Sequence, residues 1–135
     1  ETQPIMMRLR SDLVSMCLAA INGELASVEA DWDPRASLGV ALAAGGYPAS
    51  YNKGDVISGH DVALPAHQKV FHAGTSSKDG NVVTNGGRVL CAVSLGETVA
   101  EAQAGAYDVV KQVTWDKVYF RTDIGHRAVS REQAK

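Results

Sequence analysis

At 135 residues the chain is the size of one domain, or of one domain plus a piece of another. Hydrophobic residues make up 45% and charged residues 21%, a balance that fits a globular protein and excludes a disordered one. A formal net charge of -2 leaves no basic imbalance for a nucleic acid or membrane surface, and no apolar run approaches the roughly 20 residues that span a bilayer.

Residues 4–22 predict one helix. Pro4 suits the first helical position, where its missing N–H costs nothing. Ile5, Leu9, Leu13, Met16, Cys17 and Ala20 recur at three- and four-residue steps as one apolar stripe, with Asn22-Gly23 as the stop. Residues 24–35 then turn polar. Glu24, Glu29, Asp31, Asp33 and Pro34, with Trp32 among them, predict a solvated linker and a boundary between 1–23 and the rest.

From Arg35 the period shortens to two. Leu38, Val40 and Leu42 alternate with small residues, as in a strand packed on both faces, and Gly45-Gly46-Tyr47-Pro48 ends it as a turn, with Tyr47-Pro48 as a packing corner. Short strands are expected at 55–58 and 69–73, and a hairpin turn at Asp79-Gly80 leading into Val82-Val83. Residues 88–95 form the clearest strand, with Val89, Cys91, Val93 and Leu95 on one face. Thr98 and Glu101 have the capping-box spacing, and Val99, Ala102, Ala106, Val109 and Val113 stripe a helix over about 98–112. Residues 115–120 return to strand composition, and the chain ends in a polar tail over 130–135. The sum is an α+β fold, an N-terminal helix followed by an antiparallel-rich sheet domain over 36–129 with at least one packed helix.

Cys17 and Cys91, each inside an apolar pattern, read as buried thiols, the usual state in a cytosolic protein. His60, His67, His72 and His126 lack the tight spacing of a zinc site. No signal-peptide pattern is present, and a cytoplasmic location is expected. No nucleophile elbow, triad spacing or Walker loop occurs, so no catalytic residue is assigned. The stretch Thr84-Asn85-Gly86-Gly87-Arg88-Val89-Leu90 leaves two readings open. One is a type I′ hairpin turn with a solvent-facing arginine. The other is a backbone nest plus a guanidinium fork that holds a phosphate. Arg121 and Asp123, two apart, read as a structural ion pair.

Six stretches in order, ETQPIMMRLRSDLVSMCLAA, SLGVALAAGGYP, KGDVISG, VFHAGT, VVTNGGRVLCAVSLGETVAEAQAGAY and FRTDIGHRA, strongly resemble the C-terminal part of the phosphoribosylamine–glycine ligase family, the glycinamide ribonucleotide synthetases. The likeness covers residues 1–129 apart from two loops. It implies an ATP-grasp enzyme of purine biosynthesis. Such an enzyme activates glycine's carboxylate with ATP and Mg2+, because a carboxylate is a poor electrophile until its oxygen becomes part of a phosphate leaving group. The amine of 5-phosphoribosylamine then attacks, giving glycinamide ribonucleotide, ADP and phosphate. The opening Glu-Thr-Gln-Pro, without an initiator Met, cuts through a family motif and gives the expectation of a fragment. On that expectation residues 1–23 are the last helix of the ATP-grasp region, and the ATP and Mg2+ sites lie upstream, so the fragment is inactive alone and holds neither group.

The resemblance also implies site residues. By analogy with related ATP-grasp enzymes, Arg88, aided by the backbone of Asn85, Gly86 and Gly87, holds the ribose phosphate of phosphoribosylamine. Glu1 stands where such relatives place an acidic residue on the substrate amine, and His72 and Thr75 are candidates for the same cleft. The rival reading is a purely structural module that closes the ATP-grasp cleft without touching a ligand. The partners expected of the parent are small molecules (phosphoribosylamine, glycine and ATP), with no nucleic acid and no membrane.

Overall fold

The computed structural model describes residues 1–134. Its centre is β5 (Arg88–Gly96), whose residues from Val89 to Leu95 are all buried. Only a strand covered on both faces accepts so long a buried run. β1 (Ala36–Ala43) pairs antiparallel along one edge of β5 and β2 (Gln68–His72) along the other, giving the order β1-β5-β2. Val40 and Val70 both stand opposite Ala92, while Ala41 and Phe71 both stand opposite Cys91.

Because side chains alternate across a strand, this register sorts the two faces. Leu38, Val40, Leu42, Leu90, Ala92 and Ser94 share the face under α3 (Val99–Val110), which buries Ala102, Ala106, Val109 and Val110. The helix lies close because its inner stripe is small: a Cβ on Gly105 would stand 3.0 Å from Ser94 Cβ. Gly39, Ala41 and Cys91 share the other face, which α1 (Thr2–Arg8) covers. Gly39 makes that approach possible, since a Cβ there would stand 3.0 Å from Pro4 Cγ and 3.1 Å from Cys91 Sγ. The α+β class and the packed helix are as the sequence implies.

β3 (Thr75–Lys78) and β4 (Asn81–Thr84) form a separate two-stranded sheet. Their turn is the expected Asp79-Gly80, both residues with positive φ (49° and 77°), as a type I′ turn requires. Residues 54–57 run beside β4, with Ile57 N–H donating to Val82 O at 2.9 Å and Thr84 N–H to Asp55 O at 2.9 Å. The pairing at 55–58 is therefore real but reduced to bridges. Residues 115–120 do the same, pairing with β1 through the Ala43–Tyr119 bridge. At α3, Thr98 Oγ accepts from Glu101 N–H at 3.1 Å, and the Glu101 carboxylate reaches back to Glu97 N–H at 2.9 Å.

Four expectations are corrected. The N-terminal helix is not continuous: it stops at Arg8 and resumes as α2 (Leu13–Ile21). Leu9 turns extended and bridges Trp32, Arg10 N–H donates to Asp31 O at 2.9 Å, and Asp12 caps α2 by accepting from Val14 N–H at 2.9 Å. Cys17 is exposed, because α2 buries no residue and its stripe faces outward. Asp33 is buried, not solvated: its carboxylate takes both Arg35 (2.9 and 2.7 Å) and Arg10 (3.2 Å). That side-chain bond from Arg35 is the main reason its pKa lies well below the ordinary carboxylate value. The tail is helical as α4 (His126–Gln133), entered through Gly125 at φ 83°. It is held in place by Glu132, whose carboxylate accepts from Val99 and Ala100 N–H (3.0 and 3.3 Å) at the start of α3.

Candidate anion-binding cleft

β4 and β5 belong to different sheets, so the segment between Thr84 and Arg88 crosses from one sheet to the other and is not a hairpin turn. Asn85, Gly86 and Gly87 are also absent from the left-handed region that a type I′ turn demands. For the same reason the alternating backbone of a nest is not formed. The glycines serve close approach instead. A Cβ on Gly86 would stand 3.0 Å from Gly74 Cα, and Asn85 N–H donates to Gly74 O at 2.7 Å. A Cβ on Gly87 would stand 2.6 Å from Tyr47 Cε2 and 3.1 Å from Tyr51 Cε1. The Gly87 carbonyl accepts from Ala44 N–H at 2.9 Å, which ties the crossing to the end of β1.

This crossing delivers Arg88 to the rim of a cleft of about 620 Å3, lined among others by Glu1, Pro4, Tyr47, Gly74 and Cys91. The cleft is where α1 leaves the β1-β5 face uncovered. Arg88 is exposed and makes no ion pair among the described residues. Nor does any backbone carbonyl of those residues accept from the amides of Gly86 and Gly87. An unpaired guanidinium on the rim of an open cleft is the chemistry that takes a phosphate by charge-assisted hydrogen bonds. Glu1 places a carboxylate in the same cleft, able to accept from an ammonium or amine.

Glu1 and Arg88, far apart in sequence, therefore share one cleft. Asn85, Gly86 and Gly87 are not among its lining: Gly87 is buried behind Tyr47, and Asn85 is exposed. His72 and Thr75 stand outside it, bonded to each other at 3.0 Å, with His72 edge-on to His60 at 5.7 Å, while Ala73 and Gly74 between them line it. Sequence reading missed Tyr47, Gly74 and Cys91 as cleft residues. Glycines inside predicted strands and turns were the available signal, since they mark backbone approached closely by something else. Burial pushes the Cys91 thiol pKa upward, so it is a neutral floor residue.

Arg121 and Asp123 form the expected ion pair, through two bonds of 2.9 and 2.7 Å. A second opening of about 560 Å3 is lined by Pro4, Ile5, Arg8, Trp32 and Ser37, but its one cation, Arg8, already donates to Asp33 O at 3.0 Å. Among the described residues no group of three or more His, Cys, Asp or Glu side chains converges to hold a metal ion.

With the geometry in view, comparison with known proteins is specific. Residues 37–127 match the family described as phosphoribosylglycinamide synthetase, C domain. The phosphoribosylamine–glycine ligase of Vibrio parahaemolyticus is 63% identical over 135 residues, covering 100% of this chain and 32% of that protein. The ligase of the same name from Pseudomonas putida is 58% identical over 135 residues, covering 100% of this chain and 31% of that one. The crystal structure of phosphoribosylamine–glycine ligase from Thermotoga maritima superposes with a TM-score of 0.62 at 35% identity, over 80% of this chain and 27% of that one. The chain thus spans about a third of the length of the curated relatives it matches. Residues 37–127 carry the three-stranded sheet, α3 and Arg88, and on that match the chain belongs to the phosphoribosylglycinamide synthetase C-domain family.

Proposed function

We propose that this chain is the C-terminal part of an ATP-dependent ligase that joins glycine to 5-phosphoribosylamine to form glycinamide ribonucleotide in purine biosynthesis, in the cytoplasm. Its part in the reaction is to hold the ribose phosphate. The observation that carries this is the unpaired Arg88 guanidinium in a cleft that also holds Glu1. Arg88 forks onto the phosphate, and Glu1 accepts from the substrate amine. ATP and Mg2+ would supply the activated glycyl phosphate. On this reading both are assigned to the rest of a longer chain, and this part alone is inactive. Residues 1–23 close the ATP-grasp region, 24–35 link it, 36–129 form the C-terminal domain and 130–135 lie beyond.

Arg88→Ala in the full-length ligase tests the reading. A hydrogen bond to a charged group contributes about 1.5–3 kcal/mol, so kcat/KM for phosphoribosylamine should fall roughly 10- to 150-fold. KM values for ATP and glycine should stay where they are. Unchanged kinetics for all three substrates refutes the phosphate role and leaves the purely structural module.

A further inference from the structure

Resting on the phosphate assignment of Arg88, we propose that Tyr47 sets the specificity of this cleft for a pentose phosphate over phosphate alone, its ring forming the wall against which the sugar packs. Three observations converge on that side chain. First, its position is fixed. Tyr47 N–H donates to Ala44 O at 3.1 Å, and Ala44 N–H donates to Gly87 O at 2.9 Å, so the turn bearing Tyr47 and the crossing that leads to Arg88 share one anchor. The ring occupies the space a side chain on Gly87 would need, with Tyr51 behind it at 6.0 Å between ring centroids.

Second, the ring is not consumed by that packing. Tyr47 remains 38% exposed and lines the same cleft as Glu1 and Arg88. A large aromatic so fixed and yet open presents flat apolar surface to whatever fills the cleft. Third, the volume is wrong for an anion alone. About 620 Å3 far exceeds a phosphate and lies within the range of small-molecule sites. A sugar spanning from Arg88 toward Glu1 carries C–H bonds on one ring face, and an aromatic wall is the surface that takes them.

The test is calorimetric titration of the full-length ligase with ribose 5-phosphate and, separately, with inorganic phosphate. Tyr47→Ala should weaken ribose 5-phosphate about 5- to 10-fold and leave inorganic phosphate within about twofold, while Tyr47→Phe leaves both unchanged. Tyr47→Leu keeps bulk against Gly87 without the aromatic face and should behave as the alanine variant, so the readout survives if alanine unfolds the turn. Equal weakening of both ligands by Tyr47→Ala and Tyr47→Leu, or of neither, overturns the role of Tyr47 while Arg88 stands. A loss in Tyr47→Phe equal to that in Tyr47→Ala assigns the effect to the hydroxyl and overturns the wall. Arg88→Ala that leaves both ligands untouched overturns the phosphate assignment and this inference with it.

Discussion

Adding one methyl group at Gly87 should destabilise the fold, and through a single neighbour. The backbone at Gly87 cannot yield easily, because its carbonyl is bonded to Ala44 N–H and its residue is buried. Its φ is not in the left-handed region, so alanine brings no torsional cost there. What must move is the Tyr47 ring, 2.6 Å from the new Cβ at Cε2, with Tyr51 at 3.1 Å limiting the direction. Losing roughly a third of the 150–250 Å2 an aromatic side chain buries costs about 1.5 kcal/mol at about 25 cal/mol per Å2. A displaced rotamer adds about 1 kcal/mol. The sum, about 2.5 kcal/mol, meets an unfolding entropy of about 0.28 kcal/mol/K for 135 residues, so Tm should fall by about 9 °C. Thermal unfolding followed by circular dichroism measures it, in a double-mutant cycle with Tyr47→Ala. In the Tyr47→Ala background Gly87→Ala should cost less than about 1 kcal/mol, since the clash is gone. An equal cost in both backgrounds, or a Tm change under about 2 °C in the single variant, refutes the packing argument.

Asp33 should make stability depend on acid. Its folded pKa is depressed by Arg35, so its contribution is present above the unfolded carboxylate value of about 3.9 and fades as pH falls below it. Asp33→Asn should therefore lower Tm at pH 7, with the gap to wild type beginning to narrow below about pH 4 and still open at pH 3; an offset that stays constant from pH 7 down to pH 2 would contradict the assignment. Glu132→Ala should cost about 1 kcal/mol, the worth of an N-terminal helix cap, lowering Tm by roughly 4 °C. Faster hydrogen exchange at the Val99 and Ala100 amides, with the amides of β5 unchanged, locates the effect at the start of α3, and unchanged exchange there rules the cap out.

Much of the fold follows from local patterning. The mainly apolar run of β5, the capping residues of α3 and the Asp79-Gly80 turn each contain their own explanation, because a buried strand, a capped helix and a type I′ turn are short-range solutions. The break at Leu9 was partly legible, since Ser11 and Asp12 are capping residues inside the apparent helix; what ends α1 is pairing with Trp32, which no helical period reports. α4 was hidden for a related reason. Its sequence has little apolar face, and what anchors it is one carboxylate on a distant helix N-terminus.

For the site, the sequence alone determined that an arginine opens the central strand behind two glycines, and that the chain resembles a ligase family. It could not decide what the glycines are for. Read locally, Asn85-Gly86-Gly87 is a turn or a nest, both of which need left-handed backbone. The tertiary structure gives those residues neither, and uses the missing side chains to admit Gly74 on one side and Tyr47 on the other. Close approach is a property of two segments, so it is written in neither one. The same holds for the cleft, which exists because α1 covers the sheet only in part and leaves Glu1, Tyr47 and Arg88 around the remaining space.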